Sequence, residues 1–485
     1  MNMVEIVVTL GYLAALLIWA FINSRGLTVG LWANRAAHLA TSQTPLIVAL
    51  AGKNNIVTLL TGIGYEKLNV LHRASARSTL ILIWAHAFGR WRLGLRGHAS
   101  LDEVDIRFGV VSMAAFSLAA LLSVRPIRNM AYEAFLVSHI ILVAMYLIFG
   151  LLHVPEVKYR FWPALAIWAL DRLLRMLRMV ILNKLWVHVF PVGKRFDDAT
   201  LERVSSDTVR LTVHRSFKWR SGQHAYILAP SIAALPFEAH PFTIASTYSE
   251  DSHAKGSLQE IVFIIRGRDG FTKRLLEASE TRQSVPVVID GPYGAPPRLS
   301  HYSKLILIAG GSGVSYTFPL LLDIVRQAKS GNGVAQRVSF IWVVRSASHI
   351  DWIDNLLQQA VQDCPSTLQL SINIYVTQQS LPELSHENGV KGDTTSIEKK
   401  QSLAEISTTS LTSSQKAKVL SGRPDIGAML KEELSCASGL VSIDVSGPSA
   451  LADATRDALV ACNEAQPAAV LRGLPRTTLH LEVSP

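Results

Sequence analysis

Charge is scarce in this chain. Only 17% of its 485 residues are charged against 49% hydrophobic, and charged residues are sparsest before about residue 185. No basic patch interleaved with aromatics occurs, which argues against a nucleic-acid partner. Cysteine is scarcer still: Cys364, Cys436 and Cys462 show no CxxC spacing. That excludes a disulfide framework or a cysteine-built zinc site and implies a reducing compartment for the C-terminal part. The first residues, "MNMVEIVVTLGYLAALLIWAFINSRG", lack a basic start and a small-residue cleavage site, so a retained helix is expected there rather than a cleaved signal peptide. A strict GxGxxG and internal repeats in the polar part are also missing.

What is present falls into a membrane half and a soluble half. The net charge of +10 comes largely from basic residues flanking apolar runs, as on the cytoplasmic face of a membrane. Spans of about 20 apolar residues are expected at 5–22, about 43–63, 70–89, 107–124, 132–152 and 161–181. The second is interrupted by Lys53, Asn54 and Asn55. Arg73 and Arg77, Arg125 and Arg128, and Arg172, Arg175 and Arg178 mark one set of helix ends as cytoplasmic. Arg90, Arg92 and Arg96 fall on the other side, beside Asp102, Glu103 and Asp105.

After residue 185 the texture changes to short β-branched and aromatic runs. "LWVHVFPV", "TVRLTVHR" and "HAYILAP" predict strands of a small antiparallel barrel. From about 302, strands and helices alternate as in an α/β domain with a parallel sheet. Residues about 378–421, rich in Ser, Thr, Gln, Glu and Lys, are expected to be a disordered insertion. The fold class is therefore multi-domain: a transmembrane α-helical bundle of about six helices (1–185), an antiparallel β-barrel (186–297) and an α/β nucleotide domain (298–485).

Four histidines share one spacing. His72 and His86 are fourteen residues apart, and so are His139 and His153. Fourteen residues of helix rise about 21 Å and turn about 1400°, close to four full turns. Each pair thus lies on one helix face, with one histidine towards each membrane surface. One span separates the two helices, so they run in the same direction. His72 then faces His139 at one depth, and His86 faces His153 at the other, the arrangement a bis-histidine haem iron needs. A lone membrane histidine is usually a packing residue, but a duplicated spacing of costly polar groups points to function. His38 and His98 fall outside the pattern and are expected in loops.

In the soluble half, "HPFTIAS" (His240 to Ser246) ends a barrel strand. "RGRDGFT" (Arg266 to Thr272) precedes a helix expected to open at "KRLL", where backbone N–H groups and the Thr272 hydroxyl could hold a pyrophosphate. "GPYG" (Gly291 to Gly294) reads as a turn into the next domain. Each of these is also common barrel punctuation. "LIAGGSGVSYTFPLL" is more informative: Gly310, Gly311 and Gly313 follow a buried strand and precede a helix, as a dinucleotide pyrophosphate requires. Arg345 ends the next strand, where a 2′-phosphate would lie, and Arg423 could add a second cation. Either arginine could equally be a solvated strand-end charge.

Taken together, these residues resemble the fungal ferric reductase transmembrane proteins of the ferric reductase and NADPH oxidase superfamily, over nearly the whole chain. The two His-x13-His helices and "TGIGYEKLNVLHR" resemble the family's membrane half. The soluble half is similar to ferredoxin–NADP reductases. The resemblance implies that His240, Pro241, Phe242 and Thr243 hold FAD, and that Gly270, Phe271 and Thr272 hold its pyrophosphate. It assigns Gly310, Gly311, Gly313, Ser315, Arg345 and Arg423 to NADPH. It implies two b-type haems on His72, His139, His86 and His153. It further implies transmembrane electron transfer from cytosolic NADPH through FAD and both haems to a ferric or cupric chelate, in support of iron uptake. The protein is then expected in the lipid bilayer of the plasma membrane, with cytosolic nucleotide domains; a homo-oligomer is left open. Arg73, Arg77 and Arg128 would face haem propionates or lipid phosphates. Ser446, Gly447 and Pro448 occupy the catalytic position beside the nicotinamide, where the family usually has Cys-Gly-Pro. The chain ends "LHLEVSP" where the family usually has an acidic stretch and a terminal aromatic, and the long N-terminal segment of many fungal members is expected to be missing. One rival is a superoxide-generating NADPH oxidase. The thirteen residues between His139 and His153 favour the metalloreductase, since those relatives typically have one fewer. The other rival is a redox-inactive nucleotide-binding relative.

Overall fold

The computed structural model describes residues 3–22, 26, 28–52, 57–58, 65–97, 100–153, 158–188, 198–249, 258–378, 417–437, 439–462 and 476–483. It divides into two units, Met1–Arg178 and Met179–Pro485.

The helices of the first unit are α1 (Met3–Phe21), α2 (Val29–Ala51), α3 (Tyr65–Leu93), α4 (Val104–Leu122), the short α5 (Arg125–Met130), α6 (Tyr132–His153) and α7 (Lys158–Leu182), which runs into the second. Among the described residues, α4 and α6 are long and apolar enough to cross a membrane by length and composition. Of the span expected at about 43–63, residues 53–56 and 59–63 lie outside the described set and Val57 and Thr58 are helical, while the helix that covers its start begins earlier. It runs over Val29–Ala51, capped by the Thr28 hydroxyl and ending at Gly52, just before Lys53, Asn54 and Asn55. Arg35, His38 and Gln43 dilute its hydropathy, which is why it escaped a search for apolar runs. His38, expected in a loop, sits inside it; His98 lies outside the described residues.

α2 buries a row of small residues, Ala33, Ala36, Ala40 and Thr44, at helical spacing. Such residues let membrane helices approach closely. The approach to α3 is close indeed: a Cβ on Gly89 would stand 2.6 Å from Ala33 Cβ. α4 and α6 are likewise held together, with Ser112 donating to the Tyr146 carbonyl (3.0 Å). Apolar residues from α2, α4, α6 and α7, including Ile47, Phe116, Leu147 and Phe161, share one core.

The second unit begins as an antiparallel barrel. Its strands are β1 (Ala199–Ser205), β2 (Thr208–Arg215), β3 (His224–Leu228), β4 (His240–Thr243), β5 (Gln259–Arg266), β6 (Ser284–Val285) and β7 (Val288–Tyr293), with α8 (Gly270–Thr281) between β5 and β6. They form sheets of order β5-β2-β1-β6 and β4-β3-β7. Alternate residues such as Val209, Leu211 and Val213 fill the core with Ile261, Phe263 and Ile265. "TVRLTVHR" is β2, as expected. "LWVHVFPV" is not a strand where described: Leu185–His188 is a 3-10 turn, and its remaining residues lie outside the described set. Asn183, buried beside that turn, donates to the Ile289 carbonyl (2.7 Å) and accepts from the Ile289 N–H (2.8 Å). It therefore pairs with β7 in the way a strand neighbour would.

A six-stranded parallel sheet follows. It consists of β8 (Lys304–Gly310), β9 (Arg337–Val344), β10 (Gln369–Val376), β11 (Ala417–Ser421), β12 (Val441–Gly447) and β13 (Thr477–Val483), ordered β11-β10-β9-β8-β12-β13. Its helices are α9 (Val314–Lys329), α10 (Asp354–Asp363), α11 (Ile426–Ser435) and α12 (Ser449–Cys462). The insertion expected at 378–421 is too long at its C-terminal end, because Ala417–Ser421 pairs in parallel with Ile372–Val376. Residues 379–416 lie outside the described set. Within this unit Arg210 donates to the Trp352 carbonyl (2.7 Å) and Arg326 to the Tyr248 carbonyl (2.6 Å), tying barrel to sheet at two places.

Candidate functional site

In the first unit the four histidines of the two spaced pairs have Nδ1 against an oxygen. His72 Nδ1 lies 2.9 Å from the Ile47 carbonyl and His86 Nδ1 3.0 Å from the Ala33 carbonyl. His153 Nδ1 is 2.7 Å from the Asp105 carbonyl, and His139 Nδ1 is 3.3 Å from the Ser123 hydroxyl. A carbonyl can only accept, so Nδ1 carries the proton at three of these rings and Nε2 keeps its lone pair. Metal-bound histidines are held in this way. Ile47 and Ala33 are themselves fourteen residues apart, so α2 matches the spacing of α3 in the antiparallel sense.

His72 lies within electrostatic reach of His139, and His86 of His153. His86 and His153 also line one cavity of about 1000 Å³, with Trp84, Phe88, Met113 and Tyr146 among its walls. That is the upper end of the range for cofactor pockets, about 300–1000 Å³. Gly109 makes room for one wall: a Cβ there would lie 2.4 Å from His153 Cε1. The apolar walls and the two oriented imidazoles fit a haem. The rim carries Arg90, which donates to Asn34 Oδ1 (2.8 Å).

In the barrel, "HPFT" forms the whole of β4, and "DGFT" opens α8 at Gly270, earlier than the "KRLL" start expected. The fold brings them together: the His240 ring stacks on Phe271 at 4.4 Å and 16°. Thr272 is engaged in the turn, its hydroxyl accepting from the Arg268 N–H (3.1 Å) and donating to the Asp269 carbonyl (3.0 Å). The Asp269 side chain at the start of α8 makes no capping hydrogen bond, so the first-turn N–H groups fit a phosphate. One residue that sequence reasoning missed holds the histidine. Glu238 Oε1 is 2.8 Å from His240 Nε2, and its other oxygen takes the Ala234 N–H (2.8 Å) and Arg274 (3.4 Å). Burial pushes the Glu238 carboxyl up, but these hydrogen bonds outweigh it and leave the group below its ordinary pKa. The available signal was an acid two residues before the motif.

In the parallel sheet the chain turns back at β8. It runs outward through β9, β10 and β11, then returns to place β12 on the other side of β8. Ligands of such sheets bind in the crevice at the carboxyl ends of the strands on either side of that switch. Gly310 ends β8 and Gly447 ends β12, so the glycine loop and the Ser446–Pro448 turn both border the crevice. They touch: a Cβ on Gly313 would stand 2.0 Å from the Ser446 carbonyl oxygen, and one on Gly447 3.0 Å from Gly310 Cα. The N-cap of α9 is Gly313, which has no side chain to cap it, and Ser315 donates to the Ser312 carbonyl (2.8 Å). Arg345 follows β9 and Arg423 follows β11, on the same edge, both exposed.

Residues 36–150 match the family model described as ferric reductase like transmembrane component, 194–297 an FAD-binding domain, and 302–460 the ferric reductase NAD binding domain. The probable ferric reductase transmembrane component of Candida albicans is 27% identical over 454 residues, covering 88% of this chain and 62% of its own. Ferric reductase transmembrane component 4 of Saccharomyces cerevisiae is 26% identical over 456 residues, covering 88% of this chain and 59% of its own. The chain belongs to the ferric reductase family. A probable cell surface ferric reductase of Aspergillus oryzae is 28% identical over 336 residues, covering 66% of this chain and 44% of its own. The chain thus spans about 60% or less of the length of these relatives. Its matches join a transmembrane component to FAD- and NAD-binding domains, the latter two built as an antiparallel barrel and a parallel sheet.

Proposed function

We propose that this ferric reductase moves electrons across a membrane from NADPH to a ferric or cupric chelate, with FAD and two b-type haems as its resident carriers. The reading rests chiefly on one observation. Two histidine pairs, each with Nδ1 anchored, sit in the same chain as a flavin-type barrel and a nucleotide crevice. When bound, FAD supplies the conversion of a two-electron hydride into single electrons, and haem iron supplies one-electron carriage. The chain's residues do the holding. His72 and His139 would ligate the haem nearer the nucleotide side, and His86 and His153 the one nearer the acceptor. The carbonyls of Ile47, Ala33 and Asp105 accept from Nδ1 and so leave the Nε2 lone pair aimed. His240, Pro241, Phe242 and Thr243 would seat FAD, with the first turn of α8 at its pyrophosphate. Gly310, Gly311, Gly313 and Ser315 would receive the NADPH pyrophosphate and Arg345 and Arg423 its 2′-phosphate, while Ser446, Gly447 and Pro448 would border the nicotinamide.

A topology of six crossings, with Arg73 and Arg77, Arg125 and Arg128, and Arg172, Arg175 and Arg178 on the inner side, supports a cytosolic nucleotide side in this reading. A plasma-membrane setting agrees with the cell-surface relative, and cupric substrates appear in the names of two relatives.

The test is a reduced-minus-oxidised haem spectrum of the full chain on adding NADPH under argon. A Soret shift that reverses with ferric citrate is expected. No shift would sink the proposal. Reversal by oxygen with superoxide release, and none by ferric citrate, would move the assignment to the oxidase. Removing the partner of His240 should act on the flavin alone. Glu238→Ala is expected to weaken FAD retention about tenfold, the cost of about 1.4 kcal/mol for one charge-assisted hydrogen bond. Flavin fluorescence after gel filtration would measure it.

A further inference from the structure

β12 separates its side chains into two environments. Val441, Ile443 and Val445 join the apolar core with Ile426, Leu430 and Leu434. Ser442, Asp444 and Ser446 point to the opposite face, where α9 lies, and are 0%, 0% and 5% exposed. A carboxyl at 0% exposure is unusual without a charged partner. Asp444 receives one hydrogen bond, from the Ser442 hydroxyl to Oδ2 (2.7 Å). Among the described residues, nothing donates to Oδ1.

The titratable groups on that face come from two neighbouring elements. From β13, His480 is the register partner of Asp444, and Glu482 that of Ser446. From α9, Tyr316 lies within electrostatic reach of Asp444 and Glu482 and is 3% exposed. β8 contributes the apolar Leu307. Burial, slightly offset by Ser442, raises the Asp444 carboxyl to about 7. Burial first, then Asp444 and Glu482, push the Tyr316 phenol up.

Asp444 is two residues, about 7 Å, behind Ser446 on the same strand face. Directly ahead of it the Ser446 carbonyl seats Gly313. We infer that Asp444 is a positioning residue for the nucleotide crevice, whose protonation state sets how tightly the Ser446–Pro448 turn closes on the Gly310–Gly313 loop. The inference rests on the nucleotide reading proposed above. A neutral acid sits in the pocket at no electrostatic cost. A carboxylate there must recruit water or displace the end of β12, which parts the turn from the loop. The sign follows: a carboxyl raised in the folded state binds its proton most tightly in the closed form, so closure weakens as pH rises through neutrality.

The experiment is NADP+ titration of the full chain by tryptophan fluorescence at pH 6 and pH 8, for wild type and Asp444→Asn. Asparagine keeps the Ser442 bond and cannot ionise, and the ligand's own phosphate titration cancels in the ratio of the two dissociation constants. One ionisation centred near 7 predicts a wild-type to variant ratio near 1 at pH 6 and about tenfold at pH 8. Ser442→Ala, which removes the bond that favours the charged form, should move the wild-type midpoint to higher pH. It supplies the test if Asp444→Asn does not fold. A ratio that does not change with pH, or a midpoint unmoved in Ser442→Ala, overturns the inference while leaving nucleotide binding intact. No NADP+ binding at either pH overturns the nucleotide reading and this inference with it.

Discussion

Alanine at His86 should cut the haem content of the purified protein from about two per chain to about one and lower NADPH-driven ferric reduction by at least about 100-fold, while FAD content stays unchanged. The physical reason is the pairing of His86 with His153 across one cavity. Removing one imidazole leaves a single axial ligand at that depth. It also strips the Ala33 carbonyl of its donor in an apolar setting, which adds a folding cost of about 1–3 kcal/mol. A second variant separates ligation from folding. Gly109→Val removes no nitrogen, but its side chain would occupy the place of the His153 ring, 2.4 Å from Cε1. It should reproduce the haem loss of His86→Ala. Haem quantified as its pyridine complex, with flavin measured on the same sample, checks both. Two haems retained in His86→Ala would end the assignment of that histidine.

The second large effect is expected at Gly313. A methyl group there would stand 2.0 Å from the Ser446 oxygen and 2.5 Å from its carbon. Both are backbone atoms of a buried strand, so neither can move aside as a flexible side chain would. Gly313→Ala should cost about 3 kcal/mol of stability, the upper end for overpacking, and abolish measurable NADP+ binding by parting the loop from the turn. Gly311→Ala is the contrast. Nothing lies within 4 Å of its Cβ, and only its φ of +54° resists a side chain. The cost there should be about 1 kcal/mol, with binding weakened but present. Urea unfolding and NADP+ titration of the two variants would distinguish a clash from a backbone preference. Equal effects would remove the clash from the explanation.

Much of the architecture was legible beforehand, for reasons tied to particular residues. A period of 2 marks out β2, which buries one face, whereas β9 and α6 show as continuous apolar runs, β9 because both its faces are buried. The glycine run after β8 was visible because a tight strand-to-helix turn demands it. α2 was not legible: its interface is alanine and threonine rather than leucine, and its polar residues masked it. The short β11 was also missed. Five residues carry little pattern of their own, and what makes them a strand is an open edge on β10.

Sequence alone determined that the first half of this chain carries two His-x13-His pairs and the second a glycine-rich strand-to-helix turn, since spacing along a chain is a one-dimensional property that survives without coordinates. Which oxygens fix those histidines is a different kind of fact. The carbonyls of α2 meet α3 only because small residues let two helix backbones approach. In the same way, only the fold places Glu238 and Phe271 against His240. It also buries Asp444 behind Ser446, where strand pairing and the cover of α9 exclude the water that would otherwise have kept it an ordinary carboxylate.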